Sequence, residues 1–136
     1  MDDLIIDDLL IRVDRSAPAC LRLDWLGCSD SAAPEQVIRP FFEEVLVEAS
    51  ESGRFIEMHF EAVDHFNSAT ISTLIHLLFL AGKAKVALHI HYDARRRWQA
   101  LAFEALERVV HCVGSGHGLS LASLSSRPFM TREALS

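Results

Sequence analysis

The chain of 136 residues is half hydrophobic, and 24% of its residues are charged. This length and balance fit one globular domain and exclude a disordered chain. The formal net charge of −6 makes nucleic acids and anionic membranes poor partners, so we expect neither.

The start of the chain and its longest apolar run bear on localisation. The sequence begins Met1-Asp2-Asp3, without the basic start and apolar core of a signal peptide. The apolar run at residues 73–81 is too short to span a bilayer. We therefore expect a cytoplasmic protein. The three cysteines include no C-x-x-C pair, which argues against a disulfide framework and a cysteine-rich zinc site.

The first half of the chain predicts two strands and a helix. Residues 9–13 are a short apolar run, and residues 20–26 alternate between apolar and polar side chains, as in a half-buried strand. Residues 27–33 predict a loop. In the helix that follows, Pro40 either occupies the first turn or kinks a helix begun near Pro34.

The second half predicts two further strands, each followed by a helix. The strands are indicated by alternation at residues 55–60 and 86–92. Asn67 and Asp93 are good N-caps for the two helices, and Gly82 is the expected end of the first. The second helix is expected to bury one apolar stripe against the sheet, formed by Trp98, Leu101, Ala105 and Val109.

The order β-β-α-β-α-β-α predicts an α/β domain with a mixed, mainly parallel sheet. Each strand alternates instead of being continuously apolar, so we expect the helices to lie mostly on one face of the sheet. The predicted single domain spans residues 1–136, with a core at roughly 9–110 and a weakly structured tail at 111–136 that holds one weak strand at 119–124.

Two motifs carry a resemblance to a known family. The sequence of residues 60–71, Phe-Glu-Ala-Val-Asp-His-Phe-Asn-Ser-Ala-Thr-Ile, resembles the signature of STAS domains, the fold of bacterial anti-sigma factor antagonists. In that signature a strand ends in a short loop, and a serine at the start of the next helix is phosphorylated by a partner kinase. The matching serine here is Ser68. The sequence Gly27-Cys28-Ser29-Asp30 resembles the family's Gly-x-x-Asp loop beside the phosphorylation site.

The chain departs from the signature at two positions. The signature's Asp is Asn67 here, and its Gly is Thr70. The Asn-Ser-x-Thr-Ile form, with Trp98-Gln99 and residues 103–106 (Phe-Glu-Ala-Leu) in the next helix, is similar to a less-studied group of bacterial STAS-like regulators. The resemblance implies a STAS-like fold and a phospho-regulated interaction with a kinase, an anti-sigma-like protein or another signalling protein. It implies no catalysis and no cofactor. The implied switch loop and partner-binding residues are Asp30, Asp64, Asn67, Ser68 and Thr70.

The chemistry of Ser68 supports this role independently of the resemblance. If Asn67 caps the helix, Ser68 is its first residue, where free N–H groups and the helix dipole favour a phosphate. The plainer interpretation is that Asn67, Ser68 and Thr70 only cap a helix. Thr70 and Ser72 are rival phosphate acceptors.

Histidines on the predicted sheet carry the main alternative function. His89 and His91 share one face of a strand, and Glu57 and His59 occupy the matching face of another. Convergence of these four would allow a metal site or a small enzyme. We favour a solvent-facing polar surface without metal, whose histidines change stability little as they titrate.

Two expectations concern assembly and surface charge. An unswitched scaffold subunit is a third possible function, and an open sheet face could support a homodimer. The basic run Arg95-Arg96-Arg97 in the first turn of a predicted helix opposes the helix dipole, and a solvated face is the favoured account of it.

Overall fold

The computed structural model describes the backbone of residues 3–114 and the side chains of residues 3–108. Five strands and three helices occur in this range. In chain order they are β1 (Leu4–Ile6), β2 (Leu9–Asp14), β3 (Cys20–Ser29), α1 (Glu35–Ser52), β4 (Phe55–Phe66), α2 (Ser68–Ala84), β5 (Leu88–His91) and α3 (Arg97–Gly114). The sequence pattern did not predict β1, and α3 extends past the expected core. The strand predicted at residues 119–124 lies outside the described residues.

The five strands form one mixed sheet in the order β1-β2-β3-β4-β5. The pairs β1–β2 and β2–β3 are antiparallel, and the pairs β3–β4 and β4–β5 are parallel. The expected mixed α/β sheet is confirmed, with parallel and antiparallel pairs in equal number. Because β3 and β4 are parallel and Ser29 pairs with Phe66, the loops that follow both strands leave the same edge of the sheet.

Alternation along the central strands separates a covered face from an open face. In β3, Leu21, Leu23 and Trp25 are buried, whereas Arg22 is exposed and Asp24 is half-buried. The buried residues share one core with the inner faces of all three helices. The helices therefore cover one face of the sheet, as the alternation indicated, and the polar side chains of the strands line the other face.

Helix α1 resolves the two alternatives for Pro40. Pro34 occupies the N-cap, the helix begins at Glu35, and Pro40 lies within it. The helix ends at Gly53, whose φ of 69° is the left-handed conformation that glycine adopts without strain.

Gly27 lies within β3 and not in a loop, which corrects the expected boundary. Its φ is 97°, and a Cβ at this position would clash with the backbone oxygen of Asp8. That oxygen accepts a hydrogen bond from the backbone N–H of Cys28, at 3.2 Å. The β3–β4 register shifts between Gly27 and Cys28. A glycine is therefore needed where β3 is irregular, and the loop toward α1 begins only at Asp30.

The buried face of α3 differs from the predicted one. Leu101 is 58% exposed, Ala105 is also exposed, and Trp98 is half-buried. Val109 lies beyond the described side chains. The residues that pack inward are Gln99, Phe103 and Leu106, so the predicted stripe was wrong by about one position around the helix.

Gln99 explains why α3 buries a different face from the predicted one. Strand β5 pairs only with residues Ile56 to His59 of β4, which leaves one edge of the rest of β4 without a strand partner. The Gln99 amide donates to the carbonyl oxygens of Phe60 and Val63 at 2.9 and 3.1 Å. Buried backbone carbonyls need hydrogen-bond donors, and the Gln99 side chain supplies them to this part of β4.

Candidate functional site

The loop between β4 and α2 is built around Asn67. Its Oδ1 accepts hydrogen bonds from the backbone N–H of Thr70 at 2.9 Å and from the Thr70 hydroxyl at 2.8 Å. Its Nδ2 donates to the carbonyl oxygen of Ser31 at 2.8 Å. Its backbone N–H donates to the carbonyl oxygen of Ser29 at 3.0 Å. One asparagine therefore caps α2 and ties the helix start to the loop that follows β3.

Thr70 belongs to the buried frame of this loop. Its side chain is 0% exposed, and its hydroxyl lies 2.6 Å from the Ser29 hydroxyl. A consistent chain of donors runs from Ser29 to Thr70 and from Thr70 to Asn67. In the folded chain the Thr70 hydroxyl is therefore buried and hydrogen-bonded, whereas the roles predicted for Thr70 in partner binding and as a phosphate acceptor require an accessible hydroxyl.

Ser68 is the first residue of α2 and is exposed. The backbone N–H groups of Ser68 and Ala69 have no acceptor within the helix, since the first turn has no preceding carbonyls. A negative group on the Ser68 hydroxyl would therefore lie near the positive end of the helix dipole. Ser72, one turn further along α2, is also exposed.

The two predicted acidic residues are exposed at the same edge of the sheet but in different settings. Asp30 follows the last residue of β3, directly before the loop segment that Asn67 binds. Asp64 lies near the end of β4, and its carboxylate is 3.6 Å from the Arg96 guanidinium. Arg96 also donates to the carbonyl oxygens of Glu61 and Val63. One arginine of the basic run thus anchors the start of α3 to β4.

A second group of polar residues lies on the open face of the sheet. Donor atoms of Glu57, His59 and His91 all lie within 4.8 Å of one another, a spacing that could hold a metal ion. The His59 and His91 rings are stacked, with centroids 4.3 Å apart and planes at 3°. His89, which the metal-site alternative also included, packs its ring against Phe55, with the ring centroids 4.9 Å apart.

His59 is more enclosed than expected. It is only 8% exposed, and its Nε2 and Nδ1 lie 3.0 Å and 3.3 Å from carboxylate oxygens of Glu57 and Glu61. Burial disfavours the charged ring, but hydrogen bonds to Glu61 and Glu57 outweigh it and raise the pKa of His59. Burial and the neighbouring His59 charge lower the pKa of His91. These opposite pKa shifts instead predict that stability depends on the titration of His59 and His91.

Several structural partners in these groups were not singled out from the sequence. Ser31 and Ser29 hold the start of α2 through contacts with residues about 40 positions away, which no local pattern indicates. Glu61 could have been found, because it continues the two-residue period of Glu57 and His59 along β4. The sequence only weakly indicated a role for Gln99, as a polar amide next to the predicted apolar stripe of α3.

None of the helices in the described part of the chain combines the length and apolarity that crossing a bilayer requires.

No protein-family model matches the chain, and no curated protein matches it either. Solved structures do match. One is described as the crystal structure of apo-SiaC from Pseudomonas aeruginosa, with a TM-score of 0.51 and 23% identity over 79% of this chain and 92% of that chain. Another, SiaC of Pseudomonas aeruginosa, has a TM-score of 0.50 and 22% identity over 79% of this chain and 91% of its own. The chain therefore shares the fold of SiaC.

Proposed function

We propose that the chain is a cytoplasmic protein-interaction domain of a bacterial signalling system, similar to an anti-sigma factor antagonist and without enzyme activity. Phosphorylation of Ser68 controls its binding to a protein partner. The observation that carries the proposal is the exposure of Ser68 at the first position of α2. The loop residues just before and beside it are held by hydrogen bonds that involve buried groups. A kinase can reach such a hydroxyl without unfolding the loop.

The expected output of phosphorylation is a change of surface charge. A phosphate adds about −1.5 to −2 charges at neutral pH. The exposed Asp30 follows β3 at the same edge of the sheet, so a phosphate on Ser68 adds negative charge to an edge that already carries this carboxylate. The frame of Asn67, Thr70 and Ser29 does not involve the Ser68 side chain in any of its hydrogen bonds. We therefore infer that phosphate repels a partner and leaves the domain folded.

The proposal is tested by binding assays on matched pairs of variants. Ser68→Asp is expected to weaken binding to the native partner, recovered by pull-down from the cells of origin, while Ser68→Ala retains it. The matched controls are Ser72→Asp and Ser72→Ala, which make the same changes at an exposed serine one turn along the same helix. Both controls should bind as the wild type does. All four variants should keep their stability within about 0.5 kcal/mol, as surface substitutions usually do.

Phosphosite mapping on protein purified from those cells completes the test. The proposal requires modification at Ser68 that is absent in Ser68→Ala and retained in Ser72→Ala. An unmodified Ser68, together with wild-type binding by both Ser68 variants, would instead support an interaction domain without a switch.

A further inference from the structure

We propose that Glu57, His59 and His91 form a binding site for one divalent transition-metal ion of the zinc class on the open face of the sheet. This site is separate from the switch loop and does not depend on phosphorylation of Ser68. Two imidazoles and one carboxylate are the ligand set of several three-ligand zinc sites, which leave one coordination position open.

The backbone places the three ligands without help from a flexible loop. Glu57 and His59 are two residues apart on β4, so they share one face of the strand. His91 on β5 pairs directly with His59 in the parallel register. The three positions therefore lie on adjacent strands of a hydrogen-bonded sheet, which restricts their movement relative to one another.

The distances require only side-chain adjustment. The donor atoms lie within 4.8 Å of one another. A tetrahedral zinc ion with bonds of about 2.0–2.2 Å separates its ligand atoms by about 3.3 Å, so the side chains must close by at most about 1.5 Å. A metal ion lies in the plane of each imidazole that binds it, so the His91 ring must also turn out of its parallel stack on His59. Glu57 and His91 are half-buried, and rotation about their side-chain torsions would supply both changes without moving the strands.

Glu61 provides an independent feature typical of metal sites. The Nε2 atom of His59 faces Glu57, and its Nδ1 atom faces the Glu61 carboxylate at 3.3 Å. A carboxylate on the second ring nitrogen fixes the tautomer and the orientation of a metal-binding histidine. Together the two carboxylates also balance the charge of a divalent cation. The nearby Arg22 is paired with Asp24 at 2.9 Å.

The site borders a groove that would give an ion access to solvent and to further ligands. The groove has a volume of about 520 Å³, and His59 and Glu61 form part of its wall. Charged side chains make up most of the remaining wall: Arg12, Arg22, Asp24, Asp93 and Arg95. A metal-bound water or a small anion could occupy the fourth coordination position from this side.

The test uses the full chain after removal of any affinity tag and dialysis against a chelator. Zinc chloride is titrated by isothermal calorimetry, and Co²⁺ is added in parallel to record the visible absorption of tetrahedral coordination. We expect one ion per chain. Each of Glu57→Gln, His59→Gln and His91→Ala should weaken binding by more than about 10-fold and abolish the Co²⁺ spectrum. Glu61→Gln should weaken zinc binding by about 10-fold or more while leaving a Co²⁺ spectrum.

His89→Ala is the matched control, because His89 lies on the same strand and the same face as His91 but outside the cluster. It should bind zinc as the wild type does. Circular dichroism of the metal-free variants checks that each variant is folded. If one of the two histidine variants is unfolded, the other still tests whether a histidine of the cluster binds the ion. Absence of saturable binding, binding unchanged in all three ligand variants, or an equal loss in His89→Ala would each overturn the proposal. Ser68→Ala should bind zinc as the wild type does, because Ser68 lies outside the cluster. Zinc binding therefore tests this site, and partner binding by the Ser68 variants tests the switch, so either proposal can fail without the other.

Discussion

At the scale of single residues, Asn67 joins the start of α2 to the loop that follows β3. Asparagine and aspartate are about equally good N-caps, so the cap alone does not require the amide. The Nδ2 group, however, donates to the Ser31 carbonyl, which a carboxylate cannot do. Thr70 adds a buried hydroxyl that bonds both Asn67 and Ser29. Asn67 and Thr70 are therefore parts of one hydrogen-bonded network.

Asn67→Asp separates these two roles of the side chain. The cap to α2 is retained, but the Ser31 carbonyl loses its donor, so we expect the free energy of unfolding to fall by about 1 kcal/mol. Chemical denaturation measures this loss, and amide hydrogen exchange should accelerate in residues 29–33 more than in α2. Ser31→Ala keeps the accepting carbonyl and serves as the control. Unchanged stability in Asn67→Asp would mean that the link to Ser31 contributes nothing.

At the scale of elements, the start of α3 substitutes for a missing strand. Gln99 is 0% exposed, donates to two carbonyl oxygens of β4 and accepts from the backbone N–H of Asp93 at 2.9 Å. Beside it, Arg96 packs its guanidinium 5.9 Å from the centre of the Trp98 ring. These contacts join α3 to the half of β4 that leads into α2, so the helix supports this part of β4 from the side opposite β3.

Gln99→Met keeps the volume of the side chain and removes all three hydrogen bonds. The Phe60 carbonyl and the Asp93 N–H lose their partner, whereas the Val63 carbonyl keeps its hydrogen bond from Arg96, so we expect the free energy of unfolding to fall by about 1–3 kcal/mol. The control is Gln36→Met, the same change at an exposed position of α1, which should shift stability by no more than about 0.5 kcal/mol. Urea unfolding of both variants measures the difference. Equal effects at the two positions would contradict the role assigned to Gln99.

At the scale of the whole molecule, two stacked histidines make folding stability depend on pH in opposite directions. The pKa of His59 is raised above 6.5, so its contribution is fully present below pH 6.5 and is lost as the pH rises through the folded-state value. The pKa of His91 is lowered, so protonation of His91 reduces stability as the pH falls from 6.5 through the folded-state pKa.

In metal-free protein we expect the free energy of unfolding to be highest near pH 6.5. Urea unfolding with a chelator between about pH 5 and 8 measures it. His59→Gln should abolish the decline above the maximum, and His91→Asn the decline below it; a flat wild-type profile would contradict both assignments.

The sequence contained enough local information to place Ser68 at the start of a helix. A short apolar run identified β2, alternation identified β3, the first half of β4 and the core of β5, and Asn67 marked the start of α2, because strand periodicity and capping depend on neighbouring residues. The face of α3 could not be found in the same way. Trp98 and Leu101 are more apolar than Gln99, so periodicity favoured the wrong stripe, and only the unpaired carbonyls of β4 explain why an amide faces inward.

What the sequence alone determined is therefore the α/β element order, the one-sided sheet and the exposed position of Ser68 at a helix start. Each of these follows from side-chain polarity read over a few residues. Tertiary structure decided which polar groups meet: Asn67 with Ser31, Thr70 with Ser29, and His59 with His91 instead of His89. These contacts depend on strand register and on the distance between segments some 30 to 40 residues apart, and hydrogen bonds form only when that geometry brings the atoms within about 3 Å.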